Sequence, residues 1–514
     1  MRHLIASALG AAGVLLAAPF AQAQLRIAEW NISNYNGGRT SAIHASVYGQ
    51  FEGRSMAPDA FVLQEFLSQT AVDQFVAALN TAPGSPGDWA AAPFDNGPDT
   101  DNAFVYRTSR VQFLGMTIVA VGGNSPNHPR NINRYDIRPV GYDAAEATIA
   151  CYSVHMKSGT GSDDQQRRLL EAQRVRDDAE QLPTGWSFLI GGDFNIQSSS
   201  QAAYQEMVGA QVSDAGRFFD PISTPGSWNN NSAFRFVHTQ DPAGAGGMDD
   251  RHDQILLSDS LIEQTGLAYV GQISLMTGQP VPYSTVTWDD ANHSYRSWGN
   301  DGTTFDQSLR VEGNAMVGPT IAQALKDMCV GAGHLPVFLD LRVPAEVSAD
   351  EAIDFGTVAM GETATQTLTV LNAGDTGLWG DSGISALHYA MDATGVFGAP
   401  AGSFLDDAGG GGIQHEVTMD TSAPGEFMGT LTIYSDAPDE PVRVVMLSGV
   451  VTGGEPCVGD IDGDGLVNFT DLNMLLGNFN AVGAGLAGDL DGDGDVDFAD
   501  LNTLLGVYNT ACEG

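Results

Sequence analysis

Between Leu25 and about Arg342, short apolar runs alternate with polar, helix-patterned segments. FVLQEF, NAFVYR, ATIACYSVHMK, WSFLIGGDF, DQILLS and LPVFLDL read as buried strands. The clearest helix is predicted over Asp163–Leu182. Ser162 can cap it, Asp163 and Asp164 suit its first turn, and Pro183 closes it. Leu169, Ala172, Val175, Ala179 and Leu182 recur at helical spacing and form one buried face. Asn96–Asn102 and Asp241–Gly247 read as loops. From about Val343 to Val451 no helical period appears. Alternating runs there (IDFGTV, ATQTLTVLN, GTLTIYS, VRVVMLSGVV) lie between Gly-, Asp- and Pro-rich turns, the pattern of a β-sandwich. After Gly453-Gly454 a repeat with a period of 29 residues aligns DIDGDGLVNFTDLNMLLGNFN with DLDGDGDVDFADLNTLLGVYN.

Charge sharpens this division. The chain of 514 residues carries 22 basic and 63 acidic residues, net −41, with only two lysines, Lys157 and Lys326. That excludes a polybasic binder of nucleic acid or membrane surfaces. A hydrophobic content of 43% supplies packed cores and argues against disorder. Residues 24–344 have a net charge of −15 and residues 345–514 one of −27, so the two parts do different work. The leader, with Arg2, the apolar Leu4–Pro19 and Ala21-Gln22-Ala23, reads as a signal peptide over residues 1–23. It predicts a secreted chain with no transmembrane segment once mature. Export permits disulfides. Cys457 and Cys512 bracket the last acidic module and are read as a pair, while Cys151 and Cys329 are expected as buried free thiols.

Each copy of the repeat offers oxygens in the spacing of a calcium loop. The first has Asp460, Asp462, Asp464, Asn468 and Asp471 with the Leu466 carbonyl; the second has Asp489, Asp491, Asp493, Asp497 and Asp500 with the Asp495 carbonyl. A hard cation needs six to eight such ligands, and Gly465 and Gly494 allow the chain to turn inside the loop. Two Ca²⁺ are expected. With Asp in the twelfth position, no entering helix and LNxLLG following, the module resembles a type I dockerin, which implies docking to a cohesin-like module of a scaffold or surface protein. The preceding FGTVAMGETATQTLTVLNAG resembles Ig-like repeats, which implies a spacer. The domains expected are thus 24–344, 345–452 and 453–514.

Polar residues end several of the strand-like runs: Asn31 in IAEWNISNY, Glu65 in FVLQEF, His155 in YSVHMKSG, and Asp193 with Asn195 in LIGGDFNI. Asp253 in RHDQILLSD and His334 in GHLPV complete the series. Sites are commonly assembled at such strand ends. In this order the set resembles the endonuclease/exonuclease/phosphatase superfamily. The resemblance implies an α/β four-layer sandwich, two facing sheets flanked by helices, and metal-dependent cleavage of phosphoric esters in nucleic acid or another phosphodiester. By that resemblance Glu65, helped by Asn31, would ligate Mg²⁺ or Mn²⁺. Asp193 would activate water, with Asn195 fixing it or the phosphate; His155 and His334 would contact phosphoryl oxygens. Asp253 would orient His155 and favour its charged form, and Arg138, with Arg130 and Arg134 before it, would bind phosphate. The family's acid before the last histidine is Gly333 here; if Gly333 does not face the metal, a second carboxylate such as Asp327 or Asp301 would have to fill the role. The reading is a nuclease-like phosphodiesterase. A sphingomyelinase-like or small-molecule phosphoesterase, or an adhesion protein with a weakened site, is the alternative.

Overall fold

The computed structural model describes residues 24–244, 246–453 and 457–512. The signal-peptide reading of residues 1–23 lies outside the described residues.

Two sheets face each other in the first unit. One orders its strands as Ala268–Tyr269, Val337–Arg342, Leu25–Tyr35, Ala60–Phe66, Asp101–Arg107 and Trp89–Ala91, with Arg296–Ser297 also on Val337–Arg342. The other runs Val111–Ala120, Ile132–Pro139, Ile149–His155, Ser187–Asp193, Asp253–Ser258 and Phe218–Phe219. Alternation along each central strand divides its side chains between two cores. In the first strand Leu25 and Ile27 join the core between the sheets, whereas Ala28, Trp30 and Ile32 pack on the helices outside it. Thr40–Tyr48, Gln69–Thr81 and Gly318–Asp327 cover the first sheet; Ser162–Ala179 and Ala202–Val208 cover the second. The result is the four-layer α/β sandwich. All six strand-like runs of this region are strands.

Boundaries moved where tertiary contacts outweighed local signals. The long helix spans Ser162–Ala179, with Gly161 rather than Ser162 at its cap. Its inner face mixes Ala172, Val175 and Ala179 with buried Arg167, Arg168, Glu171 and Arg176, while Leu169 is only half-buried. Asp101 and Asn102 belong to a strand, not a loop. Cys151 is buried, but Cys329 lies just past the helix Gly318–Asp327 and is half-buried.

Residues 345–452 form a second sandwich, of a four-stranded and a five-stranded sheet, around Leu368, Val370, Val417, Leu431, Ile433 and Val445. A four-residue helix, Thr376–Trp379, interrupts what the sequence presents as strand and turn alone. This unit is no free spacer: Trp379, Ile384 and Ala408 enter the core of the first unit, and Arg110 lies 3.9 Å over the Trp379 ring. The Tyr142 hydroxyl donates to the Pro344 carbonyl at 2.5 Å. In the C-terminal module two loops lead into Phe469–Gly477 and Phe498–Gly506, with Val467, Leu475, Val496 and Leu504 as a small core and Cys457 bonded to Cys512.

Candidate active site

The strand ends at one rim of the sandwich bring the predicted residues together, and two irregularities aim them. The register between Leu25–Tyr35 and Ala60–Phe66 slips after Asn31, and that between Ala60–Phe66 and Asp101–Arg107 slips after Leu63. Such slips re-aim side chains at sheet rims. Glu65 sits at φ +63° and Asn195 at +52°, conformations that cost a non-glycine residue on the order of 1–3 kcal/mol and concentrate at functional sites.

Asn31 is the bracket of the cluster. Its Nδ2 donates to Glu65 Oε1 at 3.0 Å and to Asp193 Oδ2 at 3.2 Å, while its Oδ1 accepts from the Ser33 N–H. Asn31 thus ties the acids together here and does not turn its own oxygen toward them. His155 and Asp193 are register partners on adjacent parallel strands, and Asp193 pairs with Asp253 on the antiparallel neighbour. His155 Nε2 lies 3.4 Å from Asp193 Oδ2 and its Nδ1 3.7 Å from Glu65 Oε1. The Asn195 N–H donates to Asp193 Oδ1 at 3.0 Å, and Asn195 Nδ2 to the Met156 carbonyl at 3.1 Å. Asp193, Asp253 and His334 have ligand atoms mutually within 4.8 Å.

One pairing differs from expectation. Asp253 orients His334, not His155: its Oδ2 accepts from His334 Nδ1 at 2.9 Å and from Thr239 Oγ1 at 2.6 Å. Trp30 Nε1 donates to the His334 carbonyl and fixes that backbone. The two histidines are therefore held in opposite states. Burial alone would lower His334, but Asp253 and Asp193 outweigh it and raise it to about 10, so it is charged at neutral pH. Burial, then Arg130 and His334, push His155 well below its usual value, and it stays neutral. Burial raises the Asp193 carboxyl, an effect that His334 partly opposes.

Arg138 does not belong to the site. Its strand runs antiparallel to Ile149–His155, with Ile137 opposite Ile149, at the far end from His155. Arg138 donates to Thr148 Oγ1. Arg134 is held by Asp136 and Asp178. The arginine at the rim is Arg130, whose NH1 donates to the His155 carbonyl at 3.3 Å and whose NH2 meets Asp99 at 3.3 Å.

Gly333 has φ +78°, and a Cβ there would lie 2.2 Å from Cys329 Sγ, so an acid at this position has no room. Neither proposed stand-in reaches the site. Asp301 accepts from Thr303 and Ala315, and Asp327 from Gln323. Sequence reasoning also missed Thr239, whose loop gives no signal, and Glu29, an acid inside the apolar first strand that could have been noticed as a break in its pattern.

The acidic loops are compact. Asp460, Asp462, Asp464 and Asp471 have ligand atoms within 4.8 Å, as do Asp489, Asp491 and Asp500, and Asp495, Asp497 and Asp500. Asp471 and Asp500 are buried and each accepts three backbone N–H groups. Asn468 and Asp497 cap the following helices. Asp493 Oδ1 accepts from the Asp495 N–H, and Leu466 is exposed at the corresponding turn of the first loop.

No protein-family model matches the chain, and no curated protein matches it. Solved structures with a similar chain path include humanized TDP2 of D. rerio (14% identity, 63% of this chain and 100% of that one, TM-score 0.36). The human Nocturnin catalytic domain with bound sulfate is 13% identical over 62% of this chain and 94% of that one, with a TM-score of 0.34. An endonuclease/exonuclease/phosphatase from Beutenbergia cavernae is 12% identical over 83% and 100%, with a TM-score of 0.30. Among the described residues, no helix is long and apolar enough to cross a membrane.

Proposed function

We propose that the first unit is a divalent-metal-dependent phosphodiesterase, with nucleic acid as its leading substrate class, in a secreted chain. The observation that carries this reading is the meeting of Asn31, Glu65, His155, Asp193, Asp253 and His334 at one rim. Glu65 and Asp193 share the Asn31 amide, the adjacent His155 is neutral and the charged His334 lies against Asp193. Hard carboxylate oxygens so arranged suit Mg²⁺ or Mn²⁺, which Glu65 would hold with Asn31 beside it. When bound, the ion neutralises charge on the phosphoryl oxygens. Asp193 accepts the proton of the attacking water, and Asn195 holds Asp193 in place through its N–H. His334, kept charged by Asp253, offers its Nε2–H to a phosphoryl oxygen; neutral His155 offers a second contact.

The C-terminal module, in this reading, binds two Ca²⁺ and docks a cohesin-like module that tethers the enzyme at the cell surface. Its support is the pair of matching carboxylate loops. The test of the catalytic reading is hydrolysis of bis-p-nitrophenyl phosphate, plasmid DNA, RNA and sphingomyelin with Mg²⁺ or Mn²⁺. Asp193→Ala should lower the rate by about 10²–10⁴-fold without loss of fold. Equal activity in wild type and variant would refute the assignment.

A further inference from the structure

Glu29 is the least expected residue of the first unit. It is 0% exposed, and neither carboxyl oxygen has a hydrogen-bond partner. Its place is fixed by register. Glu29 lies two residues before Asn31 on the same strand and face, so it points between the sheets, one step beneath the acids that Asn31 brackets. Across from it is Gly191, two residues before Asp193; a Cβ at Gly191 would lie 3.3 Å from Glu29 Cβ and Cγ. The missing side chain of Gly191 is what admits an acid to this layer.

Other buried polar atoms without partners face the same layer. Glu29 and Ser297 both pair with Val337, which puts the Ser297 hydroxyl on the inner face. Tyr295, two residues earlier, points the same way and leaves its hydroxyl unpartnered, as does Ser297. Asp253 uses Oδ2 for His334 and Thr239, while its Oδ1 is buried and unpartnered. Two carboxyl groups and two hydroxyls make a complementary set, because a water donates to the former and accepts from the latter. Buried waters typically make about three hydrogen bonds to otherwise unsatisfied groups. Leaving such groups unsatisfied forfeits the hydrogen bonds they would make to water in the unfolded chain.

We propose that Glu29, Asp253 Oδ1, Tyr295 and Ser297 enclose internal water that ties Glu29 to Asp253 and makes Glu29 a positioning residue for the Asp253–His334 pair. The proposal rests on the phosphodiesterase reading for its kinetic consequence only. Glu29 has no path to substrate; it holds the carboxylate that holds His334.

Three measurements test it. A high-resolution crystal structure of the wild type should show ordered water within hydrogen-bond distance of both Glu29 and Asp253. Glu29→Leu, which cannot bind that water, should lower kcat by about 10–100-fold with KM nearly unchanged and without a drop in Tm. Glu29→Gln, which still can, should keep most of the wild-type kcat. A dry interior with Glu29 paired elsewhere would overturn the proposal, as would full kcat in Glu29→Leu or an equal loss in both variants. If wild type hydrolyses no phosphodiester, the phosphodiesterase reading fails, and the crystallographic result alone decides whether the water link exists.

Discussion

At the residue scale, the chemistry turns on which acid faces which histidine. A free imidazole titrates near 6.5, whereas His334 is raised to about 10 by Asp253 and Asp193 against the opposing pull of burial. The sign follows from linkage: a raised folded pKa contributes stability in full below about 6.5 and loses it as pH climbs through about 10. Asp253→Asn removes the nearest charge, so His334 should lose its proton about one unit lower or more, moving the alkaline limb of kcat/KM down with it. A pH–rate profile with an unmoved alkaline limb would show that another group titrates there. Gly333 is the second residue-scale case. Gly333→Asp, attractive from the sequence as a restored acid, must adopt φ +78° and displace Cys329 Sγ. It should destabilise the protein by about 1–3 kcal/mol and leave metal dependence no better, as thermal unfolding and a metal titration would report.

The elements explain why, of the arginines expected together at the phosphate, Arg130 lies at the rim and Arg138 away from it. Arg130 lies just before the strand Ile132–Pro139 and Arg138 near its far end, and a strand displaces successive residues by about 3.3 Å, so the two arginines lie toward opposite rims of the sheet. The direction of that strand relative to Ile149–His155 is a pairing between distant segments, absent from local pattern. Arg130→Ala should cost roughly tenfold or more in activity, because the carbonyls of His155 and Met156 lose a donor. Arg138→Ala should stay within about twofold of wild type, since it only loses the Thr148 contact; a larger loss in Arg138→Ala than in Arg130→Ala would place Arg138 at the phosphate. The long helix teaches a related lesson. Its period located it, but its inner face carries Arg168 and Glu171, which bind the Lys157 and Gly159 carbonyls and the Lys157 N–H and so fix the chain just after His155. Helix periodicity assigns such charges to solvent because it contains no information about a loop that needs capping.

Across the whole molecule, the sandwich of residues 345–452 shares a core with the first unit through Trp379 and Ile384, whereas the C-terminal module has only a small core of its own. Carboxylates packed within 4.8 Å repel one another, and a bound cation offsets that repulsion. Calorimetry of the full chain should therefore show one transition that rises with Ca²⁺ and falls with chelator, at two ions per chain, while the main transition stays put. A calcium-independent thermogram would count against the loops as calcium sites. The sequence alone determined the central strands that carry the rim, the three zones, the acidic repeat and the residue types of Asn31, Glu65, His155, Asp193, Asn195, Asp253 and His334, because each is written in local periodicity, spacing or residue type. Only the tertiary structure decided that Asp253 pairs with His334, that Arg130 and not Arg138 lies at the rim, that Gly333 is closed to a side chain and that Glu29 lies beneath the acids. Those facts depend on strand pairing, register and the space between sheets, which are set by contacts between residues far apart in the chain.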